Sequence, residues 1–134
     1  MKKILFLTCT CLFFASAAMA ACEAGTEFRG VNGHVYCKSK YSMNCWSAGT
    51  WCEAQERHLV SMEELCSDTG EGLNNAWDGS TGSGKCANLN GSGSGAGWTS
   101  LASGTSNAFM ATSNNGGSVS SVGRSGNFAN AFCY

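Results

Sequence analysis

Cysteine is the residue type whose number and spacing most directly predict chemistry in this 134-residue chain. Nine cysteines are present, and two of them, Cys9 and Cys11, lie within the first twenty residues. The spacing of the others contains no C-x-x-C pair and no cluster with histidine, which disfavours a zinc site. It predicts a disulfide framework formed in an oxidising compartment. These seven cysteines are Cys22, Cys37, Cys45, Cys52, Cys66, Cys86 and Cys133.

The other reactive side chains form no catalytic constellation in the sequence. His34 and His58 are the only histidines, and a general base without a positioned partner has little use. Glu63 and Glu64 sit where acids favour a helix start, so we do not interpret them as paired catalytic carboxylates. The run GSGSGAG at residues 91–97 lacks the lysine and the strand-and-helix context of a phosphate-binding loop. We therefore expect no enzymatic activity and no cofactor.

Charge is unevenly distributed along the chain. The formal net charge is −1, and without Lys2 and Lys3 six basic residues face nine acidic ones, which argues against a nucleic-acid partner. Every Asp and Glu lies at or before Asp78. After Asp78 the only charged residues are Lys85 and Arg124. The part of the chain after Asp78 therefore offers no carboxylate side chain to a metal ion, and we expect no metal site there.

The first twenty residues have the pattern of a compact bacterial signal peptide. Lys2 and Lys3 precede an apolar run at residues 4–14, and Ala18-Met19-Ala20 forms an A-x-A cleavage site. Cleavage after Ala20 would leave one domain, residues 21–134, that is secreted, periplasmic or held at the cell surface. The apolar run is too short to span a bilayer comfortably. An alternative interpretation makes Cys22 a lipid-attachment site.

Two short helices are predicted in the first half of the domain. Ala48, Trp51, Cys52 and Gln55 fall on one face of a helix over about residues 44–56, with Ser42 or Asn44 as its cap. The stretch HLVSM, residues 58–62, is predicted to be extended. It leads into an S-x-x-E capping box that starts a second helix ending near Cys66.

Turn signals and alternation predict strands on either side of these helices. The pair Asn32-Gly33 indicates a tight hairpin, which a cysteine at each end, Cys22 and Cys37, would staple. From Gly79 onwards the chain is rich in Gly, Ser and Asn. The turn signal at residues 114–117 separates two strand-like stretches, NAFMAT and SVSSVG. The final stretch NFANAFCY alternates, with Phe128 and Phe132 on one side and Cys133 on the other.

This order of elements resembles the C-type lectin-like domain. The resemblance rests on Tyr36-Cys37, the helix WSAGTWCEAQ, the HLVSM that follows it, the WTS at residues 98–100 and the closing NFANAFCY. It implies an α+β fold in which two short helices pack on small antiparallel sheets with long irregular loops. It also implies a bond between Cys52 in the first helix and Cys133 in the last strand. Pairs Cys66–Cys86 and Cys22–Cys37 would follow, which leaves Cys45 unpaired.

The family's sugar site is absent from this sequence. Its calcium ligands come from a triplet such as E-P-N and from W-N-D, yet the chain has no proline and no W-N-D. We therefore expect a non-catalytic recognition module, adhesin-like, that binds a protein or a glycan without calcium. A structural or accessory subunit of a surface fibre or pilus is an alternative. A variable binding protein diversified by a retroelement is another.

The ligand surface is expected on the loops and strands between Gly79 and Arg124 and not on the helices, because loops on a rigid scaffold commonly carry recognition. Asn, Ser and Gly supply adaptable polar contacts, and an aromatic residue supplies contact area. The six candidate ligand-binding residues are Trp77, Asn88, Asn90, Asn107, Asn114 and Arg124.

Overall fold

The computed structural model describes residues 21–23, 26–31, 33–66, 77–89, 93 and 95–134. The predicted signal peptide, residues 1–20, lies outside the described residues. The described part of the chain is α+β, with two short helices and six strands. In chain order the elements are β1 (Glu27–Arg29), β2 (Val35–Lys38), α1 (Cys45–Ala54), α2 (Met62–Leu65), a 3-10 turn (Ala87–Leu89), β3 (Ala96–Ser103), β4 (Asn107–Thr112), β5 (Ser118–Gly123) and β6 (Asn130–Cys133).

The six strands form one mixed sheet in the order β1-β2-β6-β3-β4-β5. The structure has this single mixed sheet where small antiparallel sheets were predicted, because β3 and β6 pair in parallel through Gly97–Asn130 and Trp98–Ala131. The meander of β3, β4 and β5 is antiparallel, so β5 points the same way as β3. The chain then crosses back and places β6 beside β3 in that same direction.

Helix α1 begins one residue after Asn44, whose side-chain carbonyl accepts a hydrogen bond from the Ser47 N–H at 2.9 Å. Of the two predicted caps, Asn44 is therefore the one used. The helix ends at Ala54, two residues before the predicted end, and Glu56 adopts a left-handed backbone with φ 55°. That conformation cannot continue a right-handed helix.

Residues 58–61 run in an extended conformation along β6, as HLVSM predicted. The His58 and Tyr134 backbones exchange two hydrogen bonds, and the Val60 N–H donates to the Phe132 carbonyl at 2.8 Å. Ser61 then starts α2 with the predicted capping box, because its hydroxyl accepts from the Glu64 N–H and the Glu64 carboxylate accepts from the Ser61 N–H.

The sheet carries a buried core on each face, and β6 contributes to both. Phe132 points into one core, whereas Ala131 and Cys133 point into the other, which confirms the predicted alternation. Helix α2 belongs to the first core and α1 to the second. The first core contains Tyr36, Val60, Met62, Leu65, Leu89, Val119 and Phe132. The second contains Ala48, Cys52, Trp98, Ala108, Ala129, Ala131 and Cys133.

Three disulfides connect the described elements, and all three predicted pairs are confirmed. Cys22–Cys37 closes the β1–β2 hairpin, Cys52–Cys133 joins α1 to β6, and Cys66–Cys86 ties the end of α2 to the segment before the 3-10 turn. Within the described residues Cys45 is the one cysteine without a disulfide partner, as predicted. The three bonds fit folding in an oxidising compartment.

Candidate binding surfaces

The predicted ligand residues in the loops are mostly occupied by structural contacts. Trp77 is half-buried, its ring lies edge-on to Phe109 at 5.0 Å, and its indole N–H donates to the Ser80 carbonyl at 2.8 Å. Asn88 is fully buried, and its amide donates to the Leu65 carbonyl at 2.6 Å. A side chain buried in this way cannot reach a ligand from the surface. Asn90 lies outside the described residues.

The other three predicted residues lie on the β4–β5 hairpin, at its two ends. Arg124 and Asn107 are neighbours, because the Arg124 Nε donates to the Asn107 carbonyl at 3.0 Å. Asn114 is exposed at the opposite end, in the turn between β4 and β5. Seven residues of extended chain correspond to about 23 Å, so these side chains do not converge on one compact site.

The rings of both histidines contact the Tyr134 ring, an arrangement that the sequence did not predict. The His34 Nδ1 is 2.6 Å from the Tyr134 hydroxyl, and the His58 ring meets Tyr134 edge-on at 6.1 Å. His58 Nε2 also contacts the Glu64 carboxylate at 2.8 Å. Glu64 is committed to capping α2. Although partial burial opposes it, the Ser61 N–H and His58 hold the Glu64 pKa below its usual value.

Cys45 occupies the first position of α1 and is half-buried. Burial raises the pKa of its thiol, and the opposing effect of Arg124 does not cancel that shift. A raised pKa keeps the thiol protonated at neutral pH, whereas a nucleophilic cysteine needs a stabilised thiolate. The position of Cys45 therefore gives no support to covalent catalysis.

An apolar groove runs along the outer side of α1, with a volume of about 530 Å³. We call it the α1 groove; its lining residues are Met43, Trp46, Ser47, Thr50, Trp51 and Ala54. Trp46 is 58 % exposed, whereas Met43 and Trp51 are partly buried against the core that also contains Trp98. The Trp98 indole donates to the Met43 carbonyl at 2.6 Å, which anchors the base of the groove to the sheet.

Helical geometry explains why this groove forms. Trp46, Thr50 and Ala54 are spaced by four residues and share one stripe of α1, while Ser47 and Trp51 form the next stripe. Ala48 and Cys52, the residues that face the sheet, lie on the other side of the helix. Trp51 lies on the helix face that the sequence pattern predicted, whereas Trp46 lies off that face. The helical period that placed Ala48 and Cys52 inward could have placed Trp46 outward.

A second, polar groove of about 440 Å³ lies beside the edge strand β5. We call it the β5 groove. Hydroxyl groups and backbone atoms form most of its lining, and none of the described residues that line it is charged. Its lining residues are Thr81, Gly82, Ser83, Ser118, Val119, Ser120 and Ser121. This groove lies within residues 79–124, the part of the chain in which the ligand surface is predicted.

Comparisons of the chain with protein-family models, with curated proteins and with solved structures give no match. None of the helices in the described part of the chain has the length and apolar character needed to cross a lipid bilayer. The function is therefore inferred from the two grooves and from the residues that line them.

We expect EDTA to leave the melting temperature of the domain unchanged. The described residues contain no group of three His, Cys, Asp or Glu side chains placed to hold a metal ion, and calcium needs six to eight oxygen ligands. Asp78 is engaged by Lys85 and by the Ser80 hydroxyl and N–H, which hold its pKa well below the usual range. Scanning fluorimetry with and without EDTA tests this. A drop of several degrees that added calcium reverses would contradict it.

Proposed function

We propose that this protein is a secreted or surface-held, non-catalytic recognition module of the C-type lectin-like type, and that it binds a protein partner through the α1 groove without calcium. The fold assignment is supported by two short helices on one sheet and by a disulfide between the first helix and the last strand. Residues 58–61 support it as well, since they run along that strand between the helices.

The observation that carries the proposal is the exposure of large aromatic side chains around α1. Trp46 is 58 % exposed in the groove, and Tyr41, two residues before Met43, is 79 % exposed. Trp, Tyr and Met are enriched in protein interfaces, and Trp and Tyr dominate the residues that carry most of the binding energy. The groove sits on a helix fixed by a disulfide and by the Trp98–Met43 hydrogen bond, so little order would be lost on binding.

The charge beside the groove restricts the chemistry of the partner. None of the described residues that line the groove is charged. Glu53 is exposed beside the groove, because it lies seven residues after Trp46 and three after Thr50 and so shares their side of α1. An apolar side chain would fill the groove, and a lysine or arginine beside it would meet Glu53. The proposed partner therefore presents an aromatic or aliphatic residue next to a basic one.

We expect peptides selected from a displayed random library against residues 21–134 to lose binding when Trp46 is replaced by alanine. Truncating an interface tryptophan at the centre of a contact typically costs about 2 kcal/mol or more, which corresponds to roughly thirtyfold weaker binding. Isothermal titration calorimetry of the enriched peptides measures the loss. Glu53→Lys should weaken the same peptides by reversing the charge that meets their basic residue.

Phe128→Ala is the matched control, because Phe128 is 57 % exposed, does not line the groove and resembles Trp46 in size and exposure. Its removal should leave binding unchanged. Amide chemical-shift mapping should place the selected peptides on residues 43–54. Peptides that bind Trp46→Ala with undiminished affinity, or a domain that binds only immobilised glycans, would overturn the proposal.

A structural subunit of a surface assembly is the competing function. It predicts that the purified domain associates with itself through the same aromatic surface. Sedimentation of the parent domain and of Trp46→Ala distinguishes the two functions. A parent oligomer that the substitution converts to a monomer would favour the structural subunit, and a monomeric parent would favour the recognition module.

A further inference from the structure

Within the described residues, the β5 edge of the sheet is covered over only about half of its length. Gly82 and Val119 exchange two backbone hydrogen bonds of 2.9 Å, and the Cys86 N–H donates to the Gly117 carbonyl at 3.0 Å. In an antiparallel ladder the N–H and C=O of one residue point to the same side, and this side alternates along the strand. The backbone N–H and C=O of Val119 point away from β4, towards Gly82. The backbone groups of Ser121 and Gly123 therefore point away from β4 as well.

The outer positions after Val119 have no strand beside them in the described part of the chain. The position opposite Ser121 in the register of Gly82 and Val119 would fall to Ser80, but the Ser80 N–H donates to Asp78 and its carbonyl accepts from Trp77. The covering segment has left the edge by that residue. The N–H and C=O of Ser121 and the N–H of Gly123 therefore face the β5 groove and the space beyond it.

This edge also lacks the protection that natural sheets place on exposed strands. Charged side chains, proline and bulges normally prevent an edge from pairing with another chain. The opposite edge of the same sheet, β1, carries exposed Glu27 and Arg29 within three residues. Strand β5 has the sequence SVSSVG, with no charge and no proline, and it pairs with β4 over all six residues without a register shift.

We propose that the free half of β5 accepts a short, extended, uncharged peptide segment of a partner protein as an added strand in the β5 groove. Added strands gain affinity from backbone hydrogen bonds and specificity from pockets for alternate side chains. The residues that line the groove are mostly small, so they leave room for a side chain of the incoming strand. A charged side chain of the incoming strand would find no opposite charge among the described lining residues. This surface is separate from the α1 groove, and the proposal does not rest on the function proposed for that groove.

The probes are neutral seven-residue Ser/Thr/Val peptides with blocked ends, titrated into the isotope-labelled domain. We expect shifts at the Ser121 and Gly123 amides and slower hydrogen exchange at Ser121. The same peptides methylated at alternate backbone nitrogens are the matched control. They keep the side chains and lose the donors, so they should bind about tenfold more weakly or not at all.

Ser121→Lys should abolish these shifts, because a charge on the edge strand blocks pairing. Ser100→Lys, at an exposed serine in the interior strand β3, should leave them intact. Binding to Trp46→Ala should equal that of the parent domain, which separates this surface from the α1 groove. Equal binding of the methylated and unmethylated peptides, shifts confined to residues 43–54, or no shift with any peptide would each overturn the proposal.

Discussion

Replacing Cys52 and Cys133 together by alanine should destabilise this domain more than loss of either other disulfide. The bond closes a separation of 81 residues, whereas Cys22–Cys37 closes only 15. In the chain-entropy model these loops correspond to about 4.5 and about 3 kcal/mol of unfolding free energy. Single domains typically have an unfolding free energy of only about 5–15 kcal/mol, so loss of the Cys52–Cys133 bond would remove a large part of it.

The position of the bond in the fold adds to the entropic effect. Cys52 and Cys133 are both fully buried, in the core between α1 and the sheet. Alanine at both positions removes the two sulfur atoms and loosens the contact between α1 and β6. Guanidinium unfolding of the non-reduced protein measures the change.

The double alanine variant of Cys22 and Cys37 is the matched control for this measurement. It also removes one disulfide, but from a hairpin at the edge of the sheet, and we expect a smaller shift of the unfolding midpoint. Peptide mapping of the parent protein should recover a Cys52–Cys133 fragment. An equal or larger loss of stability in the hairpin variant would contradict the role assigned to the long-range bond.

The parts of the fold that the sequence predicted are those specified by residues close together in the chain. The pair NAFMAT and SVSSVG forms β4 and β5 with the expected bounds, because a turn at residues 114–117 sets their register locally. The capping box at Ser61 was visible for the same reason, since Ser and Glu three residues apart satisfy each other's backbone. The Cys22–Cys37 pair followed from the predicted hairpin, whereas Cys52–Cys133 and Cys66–Cys86 came from the family resemblance.

The parts that the sequence did not predict depend on contacts between distant segments. The alternation of apolar and polar residues along β3 and β6 does not indicate whether the neighbouring strand is parallel or antiparallel. The burial of Asn88 was also invisible, because its amide is satisfied by the carbonyl of Leu65, 23 residues earlier. A buried polar side chain is stable when such a partner exists, and composition alone cannot reveal that partner. The ligand residues predicted from composition lie far apart in the structure, because composition does not specify which segments of the chain pack together.

Gly97→Ala should destabilise the domain by about 3 kcal/mol, although the substitution adds one methyl group. Gly97 lies in β3 between Ala111 of β4 and Asn130 of β6, and a Cβ at this position would overlap the ring of Phe132. Phe132 is fully buried in the core that contains Tyr36 and Met62, so its ring has no space into which to move. Overpacking of a dense core typically costs about 1–3 kcal/mol, and a rigid neighbour places this site at the upper end.

Gly49→Ala is the matched control, because the same methyl group meets an opposite environment. Gly49 lies within α1, and a Cβ there would have nothing within 4 Å. Alanine in a helix interior is favoured over glycine by about 1 kcal/mol, so this variant should be more stable than the parent. Urea unfolding of the two variants side by side should therefore give shifts of opposite sign. If Gly97→Ala unfolds at the parent's midpoint while Gly49→Ala is stabilised, then Phe132 does not pack across Gly97, and the parallel pairing of β3 with β6 loses its main steric support.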